Sequence, residues 1–85
     1  MPYIDPKRRE VFDPHISALN AELRNPGELN YVMSKLLQLY CDPPDGYIMY
    51  NSVMGVLECV KQEFYRKVVV PYEERKLEEN GGVYP

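Results

Sequence analysis

Seven residues carry the chemistry that this sequence could perform: Tyr65, Arg66 and Tyr72, supported by Lys61, Lys76, Arg8 and Arg9. Tyrosine offers a flat face with little conformational entropy to lose and a hydroxyl handle. That face stacks on a nucleobase whatever the base. Arginine and lysine supply charge-assisted hydrogen bonds to phosphate. Lys61, Arg66, Arg75 and Lys76 flank Tyr65 and Tyr72, and the N-terminal stretch adds Tyr3, Lys7, Arg8 and Arg9. A small anionic aromatic ligand of nucleotide type fits this inventory. The plainer reading of each tyrosine is that it packs in a core or a subunit interface, and mixed charges ordinarily face water.

A catalytic reading finds less. His15 is the chain's single histidine, and a solvent-facing or capping role accounts for it. Cys59 lies beside Glu58 and near Lys61, and a cation lowers a thiol pKa, but a buried core cysteine is the simpler account. The pairs Glu73-Glu74 and Glu78-Glu79 read as a solvated helix surface. There is no glycine-rich phosphate loop, nucleophile elbow or metal-ligand spacing. Two cysteines and one histidine make a poor metal set. The sequence therefore reads as a non-enzyme with no cofactor.

Composition sets the remaining bounds. Eighty-five residues read as one domain, whose core would be thin and its stability marginal alone. Oligomerisation is a common remedy. The net charge of −3 disfavours nucleic acid and anionic membranes as partners. No stretch approaches the roughly 20 apolar residues that span a bilayer, and the N-terminus has no apolar run of the signal-peptide kind. Two lone cysteines in apolar surroundings, Cys41 and Cys59, point to a cytoplasmic chain with buried thiols. Eight tyrosines with no tryptophan is the unusual feature of the composition.

The elements that would position these residues are helices. Val53, Leu57, Val60, Phe64 and Val68 recur at steps of three or four and define one face of a long helix over 51–80. Val56 and Cys59 widen the stripe, and Asn51 or Ser52 serves as cap. Pro71 lies inside it. A proline there removes a hydrogen bond and crowds the Lys67 carbonyl, costing roughly 3 kcal/mol. The β-branched run Val68 to Val70 weakens the same region. A kinked, continuous helix is expected rather than a break, because neither Val69 nor Val70 can act as an N-cap. Asn80-Gly81-Gly82 supplies the left-handed positions that stop it.

Upstream, residues 1–12 with Pro2 and Pro6 read as an extended arm, docked in cis or in trans. Asp13-Pro14 then opens a first helix over about 14–24, with Phe12, Ile16, Leu19 and Leu23 on its apolar face. Asn25-Pro26-Gly27 ends it and starts a second helix over about 27–41, carrying Leu29, Val32, Leu36 and Leu39 or Tyr40. The short connection predicts that the two are antiparallel neighbours. Asp42-Pro43-Pro44-Asp45-Gly46 is a turn. Tyr47–Tyr50 is either an extended lead-in or the first turn of the third helix, and 81–85 is a short tail. The predicted fold is all-α: two short helices packed on one long proline-kinked helix, assembled as a homo-oligomer.

At Leu29-Asn30-Tyr31-Val32, Gly55-Val56-Leu57-Glu58-Cys59, Glu63-Phe64-Tyr65-Arg66, Pro71-Tyr72-Glu73 and Glu79-Asn80-Gly81 the chain resembles a family of short proteins of unknown function, common in bacteriophage and prokaryotic genomes. The resemblance runs from the MPYI start to the VY end. That family's ending usually reads Asn-Gly-Asp-Val-Tyr, whereas this chain has Gly82 at the acidic position. The resemblance implies a phage setting, in the host cytoplasm, and no catalytic residues. Small phage proteins without enzyme motifs often act by binding. One class forms compact oligomers that sequester the nucleotide signals of host antiviral systems, and this chain is similar in size, helical content and tyrosine-plus-arginine inventory. Two functions follow as expectations: capture of a nucleotide-type signal between subunits, or an interaction module that grips a host or phage protein through tyrosine hot spots.

Overall fold

The computed structural model describes residues 3–43 and 46–85. Every element in it is helical: α1 (Pro6–Glu22), α2 (Pro26–Tyr40), α3 (Tyr47–Phe64), a π-turn (Tyr65–Val69) and α4 (Val70–Asn80). The last three join into one helical run of 34 residues. The described residues divide into two compact units, one within 3–50 and one over 51–85.

Ahead of the first apolar stripe, the Asp-Pro signal for helix entry occurs at Asp5-Pro6 and again at Asp13-Pro14, and the chain uses the earlier copy. Asp5 is the N-cap of α1, its carboxylate accepting from the Lys7 N–H at 2.8 Å, with Pro6 in the first turn. The expected extended arm over 1–12 therefore shrinks to the residues before Pro6, of which Met1 and Pro2 lie outside the described residues. Pro14 does not start a helix; it sits inside one. Once Asp5 has capped the helix and the costly first turn exists, continuing through Pro14 forfeits one hydrogen bond, which is cheaper than nucleating again eight residues later.

The second helix starts at the expected Asn25-Pro26-Gly27, with Asn25 as its N-cap. Its side chain accepts from the Glu28 N–H at 2.9 Å, and Glu28 returns the favour by accepting from the Arg24 N–H at 2.8 Å. This is a variant of the capping box in which the Glu28 carboxylate reaches the N–H one residue before the cap. The predicted antiparallel packing of α1 on α2 is not realised as a core, since no residue of either helix is buried. The half-buried apolar residues of α2 and its C-cap are Val32, Leu37 and Cys41, while Leu29, Leu36, Leu39 and Tyr40 are exposed. Within the following turn, Pro44 and Asp45 lie outside the described residues. Tyr47–Tyr50 belongs to α3 and is helical rather than extended.

The second unit is the helical run beyond Asn51. It continues through Pro71 without a break, as the missing N-cap at Val69 and Val70 implied, and the conflict is resolved by a π-turn. The Val70 N–H reaches the Tyr65 carbonyl, five residues back. A wider turn of this kind eases the crowding between the proline ring and the Lys67 carbonyl. The run ends at Gly81, whose φ of 79° needs a residue without a Cβ and whose N–H caps the Leu77 carbonyl at 2.9 Å. Gly82 follows so closely that a Cβ there would lie 2.6 Å from Cδ1 of Leu77. Any side chain at this position would require Leu77 to swing aside.

Among the described residues none is buried, polar or apolar. Val53 and Leu57 of the central stripe are half-buried, whereas Val60, Phe64 and Val68 are exposed. Cys41 is half-buried and Cys59 exposed, so the expectation of two buried thiols is not met.

Candidate functional site

The π-turn begins with Tyr65 and Arg66, two of the residues chosen from the sequence. Lys61, one helical turn earlier, joins Tyr65 along an open concavity whose other walls are Gln62, Phe64 and Val69. Phe64 precedes the π-turn and Val69 is its last residue, so the depression lies along this irregular turn. An aromatic ring, a cation and an apolar floor in one concave place can hold a flat anionic molecule by stacking and by charge.

Arg66 turns elsewhere. Its Nη2 donates to Glu63 Oε1 at 3.1 Å and Oε2 at 3.0 Å. Glu63 is half-buried while the guanidinium is largely exposed, and an ion pair this open to water contributes little, on the order of 0–1 kcal/mol. A phosphate could therefore compete for the guanidinium at small cost.

Tyr72 forms a second cluster on α4. Arg75 Cζ lies 5.8 Å and Lys76 Nζ 5.7 Å from its ring centroid, within cation–π range. Lys76 Nζ also donates to Glu79 Oε2 at 3.2 Å. The structure thus brings Lys61 and Tyr65 to one concavity, and Tyr72, Arg75 and Lys76 to one aromatic–cation cluster.

Arg8 and Arg9 belong to the first unit, on the first turn of α1. The Arg8 guanidinium carbon lies 5.0 Å from the Phe12 ring centroid, and Arg9 Nε donates to the Ile4 carbonyl at 3.1 Å. Arg9 lines a separate concavity with Tyr3, Ile4, Phe12, Asp13 and Ile16. The helical start at Pro6 thus gives both arginines fixed local partners instead of a place on an extended arm.

Two participants escaped sequence reasoning. Glu63, three residues before Arg66, was legible as a helical i,i+3 partner. Val69, four residues after Tyr65 and eight after Lys61, was equally legible as a neighbour on the same helical face. Elsewhere, Glu58 accepts from Gln62 Nε2 at 2.9 Å. Among the described residues no group of histidine, cysteine and carboxylate side chains could hold a metal ion.

A family model of unknown function, DUF6899, matches residues 1–83. The chain belongs to the DUF6899 family. Its match spans α1 through the end of α4, so every residue of both clusters lies within the DUF6899 region. No curated protein and no solved structure matches the chain.

Proposed function

We propose that this DUF6899 protein is a phage-encoded, self-associating binding protein that takes up a small nucleotide-type ligand without turning it over, sequestering a signal of host immunity in the host cytoplasm. The observation that carries the reading is the concavity at the π-turn, where Tyr65 and Lys61 stand together with Phe64 and Val69. π-turns inside α-helices recur at functional sites, and here one bears the stacking residue and Arg66. Tyr72 and Lys76 are the second contact set, and Arg8 and Arg9 the outer support. The phage setting rests on the motif resemblance. Placement in the cytoplasm is supported by the finding that, among the described residues, no helix is long and apolar enough to cross a membrane. The homo-oligomeric assembly is supported by the absence of any buried residue among those described: apolar faces this open need a cover.

The test is native mass spectrometry of protein purified directly from infected cells, followed by titration with cyclic and linear nucleotides. An oligomer carrying a few hundred daltons per site, with saturable and salt-sensitive affinity that collapses in folded Tyr65→Ala and Arg66→Ala variants, is the expected result. Undiminished binding in both variants refutes the site.

The same exposed apolar faces favour a second reading, an interaction module that inhibits or modulates a host or phage protein. One stoichiometric protein partner, with no bound small molecule and with binding lost on tyrosine substitution, would select it.

A further inference from the structure

Tyr65 and Tyr72 are seven residues apart, and in an unbroken α-helix that spacing would leave them within about 20° of one line. The π-turn lies between them. Its closing bond runs from the Val70 N–H to the Tyr65 carbonyl, five residues back instead of four. The turn therefore holds one residue more than an α-turn, and everything beyond it lags by about 100°. Tyr72 stands roughly 120° round the helix from Tyr65 and about 10 Å further along it. The concavity beside Tyr65 agrees: its walls are Lys61, Gln62, Phe64 and Val69, and Tyr72, Arg75 and Lys76 stand outside it.

Each cluster is complete by itself. The rings are equally open, Tyr65 at 51% and Tyr72 at 52% exposed. Each has a cation that pairs with no carboxylate among the described residues: Lys61 beside Tyr65, and Arg75 5.8 Å from the Tyr72 ring centroid. Lys76 adds a second cation at 5.7 Å, and its pair with Glu79 is open to water on both sides and so weak. Glu73 and Glu74 lie about 100° and 200° round from Tyr72, off the face that Arg75 and Lys76 share with its ring.

We infer that the chain carries two separate sites for one ligand chemistry, a flat aromatic ring bearing a phosphate: one at Tyr65 with Lys61, the other at Tyr72 with Arg75 and Lys76. The inference rests on the nucleotide-binding reading above and fixes its stoichiometry. A mononucleotide stacked on one ring does not reach the other, because a helix about 10–12 Å across stands between them. The concavity makes the Tyr65 site the tighter of the two, since Tyr72 offers an open face. Affinity losses in Tyr65 variants are losses of that tighter site.

The experiment is equilibrium dialysis of the full-length protein against adenosine 5′-monophosphate and, separately, its 3′,5′-cyclic form. The samples are wild type, Tyr65→Ala, Tyr72→Ala, the double variant and Arg75→Glu, with helicity checked by circular dichroism. Wild type should show a tight and a weak class of site in equal number. Tyr65→Ala should keep only the weak class and Tyr72→Ala only the tight one, each with half the wild-type uptake, and the double variant should bind nothing. Arg75→Glu reverses the charge at the second site, leaves both rings in place, and should act as Tyr72→Ala does. Uptake abolished by either single tyrosine change means one joint site and overturns the inference. Full uptake retained in Tyr72→Ala and Arg75→Glu, with loss confined to Tyr65→Ala, overturns it too and leaves the nucleotide reading standing. No uptake of either probe by wild type overturns both together.

Discussion

Tyr65 stands where an aromatic face, a cation and an irregular backbone coincide, and its two substitutions should separate the ring from the hydroxyl. Stacking on an aromatic side chain is worth about 1–3 kcal/mol per base. Tyr65→Ala should therefore weaken nucleotide binding by about 5- to 150-fold, while Tyr65→Phe retains most of it; isothermal titration reads both. Arg66 belongs to the same scale. Glu63→Gln removes the carboxylate that engages its guanidinium, so it should strengthen the capture of a phosphate-bearing ligand, severalfold at low salt and less as salt screens the contact. These residues were legible in the sequence as types: tyrosines near basic residues are visible without a structure. Their grouping was not. The separation of Tyr65 with Lys61 from Tyr72 with Arg75 and Lys76 depends on where the π-turn falls and on which cation each ring meets. Arg8 and Arg9 were drawn into the same set only because residues 1–12 read as an arm, and a helix beginning at Pro6 removes that freedom.

At the scale of the element, two prolines inside helices give opposite predictions. Pro14 interrupts α1 with no compensating feature described around it. Pro14→Ala should restore the N–H that a helix expects and raise stability, by up to about 3 kcal/mol, seen as a higher midpoint in urea. Asp5→Ala should do the reverse and cost about 1 kcal/mol, by loss of the N-cap. Pro71 differs because the helix has widened ahead of it. Pro71→Ala should steady the helix but remove the reason for the π-turn. Binding at Tyr65 should fall while thermal stability rises, a pairing that simple damage to the fold would not produce. The helices themselves were legible, because apolar steps of three and four and the Asn25 cap are local signals. Their boundaries were less so. Asp5-Pro6 and Asp13-Pro14 satisfy the same entry rule, and the choice between them is made by helix continuity, which no local rule contains. Likewise, valines followed by proline announce a conflict near residue 70, but a break, a bend and a π-turn share that announcement.

For the whole molecule, the decisive feature is the absence of any buried residue among those described. Under the self-association proposed above, stability is gained by pairing, and stability gained that way follows mass action. The melting temperature should rise by several degrees for each tenfold increase in concentration, whereas a self-sufficient monomer would show none; calorimetry across a dilution series decides. The cell adds a consequence. A subunit waiting for its partner is the form that proteases cut, since degradation tracks the open population. At low synthesis most copies would be cleared before they meet, and at high synthesis most would be rescued by pairing. The standing amount of protein should then climb more steeply than its rate of production, so that a late burst of expression delivers the working form abruptly and a trickle delivers almost none.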